Sequence, residues 1–403
     1  MGRTPPLAAT ISVTTRQRRS RLVFCFLFIL CLLLAGVLTD CTDPSREAAA
    51  WRIGEGDLLA EQDLYAEAIV QYTKSIVIAP DMAEAYFQRA NAYSSLGKYD
   101  HALQDYDEAI AIDPQNAVAF MNRGEIYTRK GLPEQAIADF DSAVELKPNL
   151  TRAYYDRGLA YLDQGQPEQA VADFGKAVSL DPGLTLAYFY RGHALNDLGE
   201  PEQAIEDFSA AIDLDPKLAA AYYYRGRSYE KLASPGQAIT DFNMVVQLDP
   251  MNDLAYYYRG RACADLGQFE QAVKDYDTAI GIDPAQPLPY YYRGRANMEL
   301  DRSEQAVLDF DAAVRLDPSL TLAWYYRGRA LYDLDQPDAA IRAFNSAISL
   351  DPQLTLAYYY RGLSYRDIGD TAAALADLDT FLSQTEDPNQ VEKVKKIIAT
   401  LGA

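Results

Sequence analysis

Prolines stand at residues 80, 114, 148, 182, 216, 250, 284, 318 and 352, each 34 positions after the last. A fixed period of this size means that one small unit is written again and again. Such a unit cannot bury its own apolar face and is closed by stacking on its neighbours. The unit at 183–216 reads GLTLAYFYRGHALNDLGEPEQAIEDFSAAIDLDP. Tyr188, Gly192 and Leu195 recur at helical spacing, and so do Ala204, Phe208 and Ala211. Gly192 and Ala204 are small enough to let two helices approach, with Tyr188 and Phe208 filling the space around them. Gly199 suits the left-handed end of the first helix. Pro201 suits the first turn of the second. Pro216 stops that helix and holds Asp215 in extended backbone. The expectation is a tandem array of helical hairpins.

This layout resembles the tetratricopeptide repeat (TPR): an aromatic, a glycine and a Tyr-like residue in the first helix, then Ala, an aromatic, Ala and a closing Pro in the second. Ten units follow it, at 47–80, 81–114, 115–148, 149–182, 183–216, 217–250, 251–284, 285–318, 319–352 and 353–386. In the first, Ala68, Tyr72 and Pro80 fit while Trp51 is one place out of register. The resemblance implies an all-α, right-handed superhelical solenoid whose first helices line a concave groove. Three turn glycines are replaced, by Ala233, Asp301 and Asp335; of these Ala233 is the one expected to be strained. The last unit has Leu378 in place of the second-helix aromatic. In the remaining segment, 387–403, Val391, Val394, Ile398 and Leu401 form one stripe, as a capping helix requires.

YYYRG occurs four times, beginning at Tyr222, Tyr256, Tyr290 and Tyr358. Adjacent helical residues cannot share a face. By phase, Tyr222 belongs with Gly226 in the hairpin core, Tyr223 with Arg227 and Glu230 in the groove, and Tyr224 at the seam between repeats. Arg225 and its equivalents face Asp241 and its equivalents on the second helix, which points to internal ion pairs rather than a ligand site. Arg327 alone in this column loses its acid, since Ala343 stands there.

The groove columns identify a candidate site for a partner. Tyr223, Tyr257, Tyr291 and Tyr325 run beside Arg227, Arg261, Arg295 and Arg329, with His193 earlier in the same column. Tyr and Arg are the residues most enriched at binding hot spots. Against this, Asp265, Glu299 and Asp333 stand one turn after Arg261, Arg295 and Arg329 and could neutralise them, whereas Arg227 has Lys231 there. Acids and bases nearly balance at groove positions although the chain as a whole carries −21. A protein or peptide segment of acidic or mixed charge suits such a groove. The acidity excludes a phosphate-backbone partner, so no nucleic acid is expected. With two His and four scattered Cys no metal site or disulfide framework is implied. No cofactor-binding or catalytic motif is found, and the chain reads as a non-enzyme, monomeric because the capping helix closes its end.

Residues 1–21 hold five arginines and no acid, and residues 22–38, LVFCFLFILCLLLAGVL, hold no charge. That is a membrane-targeting layout with the basic end cytoplasmic and everything beyond residue 39 outside. Seventeen apolar residues fit a short anchor or a long signal core. The stretch LTDC ending at Cys41 resembles a lipoprotein box, but Asp40 occupies the place of its small residue, and the reading of Cys41 as a chance cysteine of the 39–46 linker is placed ahead of lipidation. The reading of the whole is an interaction scaffold retained at the membrane and facing away from the cytoplasm, with alternatives of a self-associating envelope protein or a regulatory subunit.

Overall fold

The computed structural model describes residues 43–401. The apolar run at 22–38 and Cys41 lie outside the described residues. Among the described residues no helix is long and apolar enough to cross a membrane. Every regular element described is an α-helix. In chain order they are α1 (Pro44–Ala60), α2 (Tyr65–Ile78), α3 (Ala83–Ser95), α4 (Tyr99–Ile112), α5 (Ala117–Arg129), α6 (Pro133–Leu146), α7 (Thr151–Asp163), α8 (Pro167–Leu180), α9 (Thr185–Asp197), α10 (Pro201–Leu214) and α11 (Ala219–Lys231). There follow α12 (Pro235–Leu248), α13 (Asp253–Asp265), α14 (Phe269–Ile282), α15 (Pro287–Glu299), α16 (Ser303–Leu316), α17 (Thr321–Asp333), α18 (Pro337–Leu350), α19 (Thr355–Asp367), α20 (Thr371–Gln384) and α21 (Pro388–Leu401).

The described residues divide into two compact units, one ending at Arg123 and the other beginning at Gly124. In the first, α1 and α2 pack as one antiparallel pair and α3 and α4 as the next. Tyr72 and Ala68 of α2 are buried with Ile53 of α1 and Ala85 of α3. In the second, α7 to α20 form seven successive hairpins, each second helix packing on the first helix of the next pair.

Except in the α3–α4 hairpin, where the buried Ala90 holds the place, the hairpins close on a glycine. A Cβ on Gly328 would stand 2.5 Å from the Phe344 ring, where it does not fit without a shift, and one on Gly192 would stand 3.0 Å from Phe208, a tight contact. The turns follow the expected chemistry. Gly199 has φ +79, and Asp301 and Asp335 adopt φ +56 in its place. Ala233 also sits at φ +50, which an alanine adopts only at a cost.

The Asp-Pro that ends seven of the ten repeats has a second role that spacing did not reveal. The Asp215 carboxylate accepts the Lys217 N–H at 3.0 Å, and Asp181 accepts that of Gly183 at 2.9 Å. Each carboxylate thus folds the chain into the next helix as an Asx turn.

At the C-terminal end α21 covers the last hairpin. Val394 is fully buried with Leu378 and Phe381, and Ile398 and Leu401 pack around them. Leu378 leaves room that Phe381 fills, where the preceding repeats have Ala313 and Ala347.

Candidate functional site

Arginine organises the seam between hairpins. Arg225 of α11 donates Nη2–H and Nε–H to the two Asp241 oxygens at 2.7 and 2.9 Å, a bidentate fork within its own repeat. Its Nη1–H reaches back to Ser209 of the preceding repeat at 2.8 Å. Arg259 repeats the pattern with Asp275 and Asn243, and Arg361 with Asp377 and Asn345. Arg157 pairs with Asp173 and Asp141, and Arg293 with Asp309 and Asp277. Arg327, whose own repeat offers Ala343, turns to Asp311 of the preceding repeat. These arginines are stitches between repeats and are taken out of the candidate site.

The three tyrosines sort differently from their phase. Tyr222 is buried, but Tyr256, Tyr290 and Tyr358 are only half-buried. Each covers the adjacent guanidinium, as Tyr256 does Arg259 at 5.2 Å. The middle tyrosines, expected to look outward, are the buried ones: Tyr257 and Tyr291 are 5% exposed and Tyr325 is 4%. Helical side chains lean toward the N-terminus, so the spot over a given turn is covered by a residue one position further on. Burial pushes the Tyr223 and Tyr291 phenols up to about 12. Tyr223 and Tyr359 remain half-buried. The third tyrosines seal the seam as expected: Tyr258 stacks on Phe242 of the preceding repeat at 6.0 Å, and Tyr326 on Phe310 at 6.1 Å.

What faces outward is the arginine column, and it rests on those third tyrosines. The Arg227 guanidinium lies 3.8 Å from the Tyr258 ring centre, Arg295 4.8 Å from Tyr326 and Arg329 4.3 Å from Tyr360. Arg261 lies 5.4 Å from Tyr292. His193 holds the equivalent place edge-on to Tyr224 at 5.0 Å. The expected neutralisation is reversed. Arg227 is the paired one, 3.1 Å from Glu230, whose carboxyl is raised above its ordinary value by burial. Among the described residues no ion pair joins Arg261, Arg295 or Arg329 to a carboxylate, and the buried Arg329 Nε has no hydrogen-bond partner.

Between α13 and α15 the arginine row borders a recess of about 440 Å³, lined by Arg261, Arg295, Asp265, Glu299, Tyr292 and, on its floor, Tyr276 of α14. Of this recess the sequence singled out the arginines and the acids Asp265 and Glu299 one turn after them, but not Tyr276. Among the described residues no cluster of three or more His, Cys, Asp or Glu could hold a metal ion.

Comparison with known proteins matches this architecture. Family profiles described as tetratricopeptide repeat match residues 83–116, 155–219, 291–355 and 325–390, and one described as TPR repeat matches 133–165 and 260–301. No curated protein matches the chain. Among solved structures it is similar to YrrB, described as a TPR protein with an unusual peptide-binding site, at 28% identity over 46% of this chain and 95% of that one, with TM-score 0.44. It is similar to MamA of Desulfovibrio magneticus RS-1 at 24% identity over 42% of this chain and 96% of that one, TM-score 0.41. The Cut9–Hcn1 assembly of the APC/C matches 88% of this chain and 84% of its own at 15% identity, TM-score 0.46.

Proposed function

The chain belongs to the tetratricopeptide-repeat family, and from that premise we propose that it is a non-enzymatic scaffold binding a protein segment along the first-helix face of residues 217–352. The observation that carries this reading is the row Arg227, Arg261, Arg295 and Arg329, each laid on a tyrosine of the next repeat. Stacking fixes the guanidinium plane and uses none of its N–H donors, so the donors not already given to Glu230 or to the tyrosine one turn earlier form a pre-organised ladder for a partner's acceptors. Arginines kept only for solubility need neither stacking nor a regular row.

The burial of Tyr257 makes it a poor site to mutate, so the test belongs to the arginines. A chain with Arg261→Gln, Arg295→Gln and Arg329→Gln keeps its melting temperature within a few degrees and loses the proteins that wild type captures from a cross-linked envelope fraction of its source. Unchanged capture, compared by mass spectrometry, sinks the assignment.

The basic flank and the apolar run at 22–38 support membrane retention with the repeats outside the cytoplasm. Protease added to intact cells then digests the repeats. Fatty-acid labelling that disappears in Cys41→Ser identifies a lipid anchor in place of a spanning one. The cover that α21 gives the last hairpin favours a monomer over end-to-end association.

A further inference from the structure

Tyr276 is the odd residue of the helix-B aromatic column in the second compact unit, where Phe140, Phe174, Phe208, Phe242, Phe310 and Phe344 carry no hydroxyl. Its side chain is fully buried, and its hydroxyl has no hydrogen-bond partner. Leaving a buried hydroxyl unmatched is costly, whereas phenylalanine at the same place avoids that cost. In the first compact unit the equivalent tyrosines are satisfied from the residue fifteen positions earlier: Tyr72 donates to Asp57 Oδ1 at 2.8 Å and Tyr106 to Asn91 Oδ1. Fifteen positions before Tyr276 stands Arg261, a guanidinium that only donates. Burial holds the Tyr276 phenol far above its ordinary value, so it too remains a donor.

The recess over this hydroxyl is therefore walled by donors at depth (Tyr276, Arg261 and Arg295) and by the exposed acids Asp265 and Glu299 at its rim. A group that satisfies the Tyr276 O–H proton must accept a hydrogen bond, and negative charge suits it opposite two arginines that no close ion pair joins to a carboxylate, Glu230 acting on Arg261 only at longer range. Beside it, the rim suits a cation.

We propose that this recess is the specificity subsite of the scaffold: it takes a carboxylate of a partner peptide, flanked by a Lys or Arg, with Tyr276 O–H, Arg261 and Arg295 as its donors. This rests on the scaffold reading above and goes further by naming the chemistry recognised.

The test selects binders from a library of random amide-capped decapeptides on the full-length protein in detergent. Selected peptides are expected to share one Asp or Glu next to a Lys or Arg. Replacing that acid by its amide weakens binding about tenfold or more, as loss of a charged hydrogen-bond acceptor does. Resynthesis with a free C-terminus in place of the amide shows whether a terminal carboxylate substitutes for the side chain. Tyr276→Phe, which restores the residue of the neighbouring repeats, is expected to keep or raise the melting temperature and to weaken the same peptide about tenfold. Binders without an acid overturn the proposal, and so does equal affinity in Tyr276→Phe. Both results leave the scaffold reading standing, since that reading falls only if the triple arginine variant still captures its partners. Failure to select any peptide also overturns the subsite.

Discussion

Gly328 shows how narrow the tolerance of one position can be. Its missing Cβ would lie 2.5 Å from the Phe344 ring, and that ring is itself fully buried. Gly328→Ala is expected to cost about 2–3 kcal/mol in urea unfolding, because a close-packed seam relaxes poorly. Gly281→Ala, in a helix and facing open space, is the control and gains up to ~1 kcal/mol from helix propensity. Equal costs at the two sites would show that close approach is not what the glycine provides. Ala233 is the complementary case, a side chain where the turn wants none. With φ +50 it sits where Gly199 and Gly267 sit, so Ala233→Gly is expected to stabilise by about 1 kcal/mol. Both positions were legible in the sequence, since a period compares every residue with its equivalents. The tyrosine triplet was only partly legible. Phase assigns a direction to the Cα, while the lean of a long aromatic moves its ring toward the preceding turn and exchanges the first and second roles. Tyr257 is buried and Tyr256 is a lid for that reason.

Helices meet their neighbours through groups that no single repeat contains. The Arg–Asp fork within a hairpin was readable, because Arg225 and Asp241 sit on facing helices of one unit. The reach of Arg225 Nη1 back to Ser209, and of Arg327 to Asp311, belongs to the seam and follows only once successive repeats are stacked. The unpaired arginines were likewise misread, because i,i+4 spacing permits a pair and a stacked ring competes for the same guanidinium. On α7 the same crowding leaves a titration signature. Burial is the main cause that raises Asp156 to about 6, against the lowering effect of Arg152 at 3.2 Å, with Glu125 and Arg129 also acting on it. A carboxyl held above its ordinary value binds its proton more tightly folded than unfolded. The contribution of Asp156 to wild-type stability therefore falls as pH rises from about 4 to about 6 and no further above that. Asp156→Asn lacks this loss. Its stability relative to wild type should be near zero at pH 4 and rise to about 1–2 kcal/mol by pH 7, discounted for the exposed Arg152. Urea titrations at four pH values between these limits check it, and a flat difference refutes the burial argument.

For the molecule as a whole, the period made the architecture legible long before any contact was known, because each hairpin depends only on its neighbours. The recess over Tyr276 was not legible, since it arises from one hydroxyl and three consecutive helices whose individual residues look ordinary. The same nearest-neighbour logic governs how stability is distributed. A terminal hairpin has a neighbour on one side only, and here α21 supplies the other. Val394 covers Leu378 and Phe381, which are essentially fully buried. A chain ending at Glu386 exposes that surface and leaves α19 and α20 held from one side. Local opening then requires less free energy at this end than in the interior. Native-state hydrogen exchange is expected to quicken at least tenfold in α19 and α20 and to stay unchanged in α11 to α14. Uniform loss of protection would mean that the second compact unit unfolds as one body and that α21 stabilises all of it. A gradient decaying inward from residue 384 is the signature of hairpins coupled one to the next.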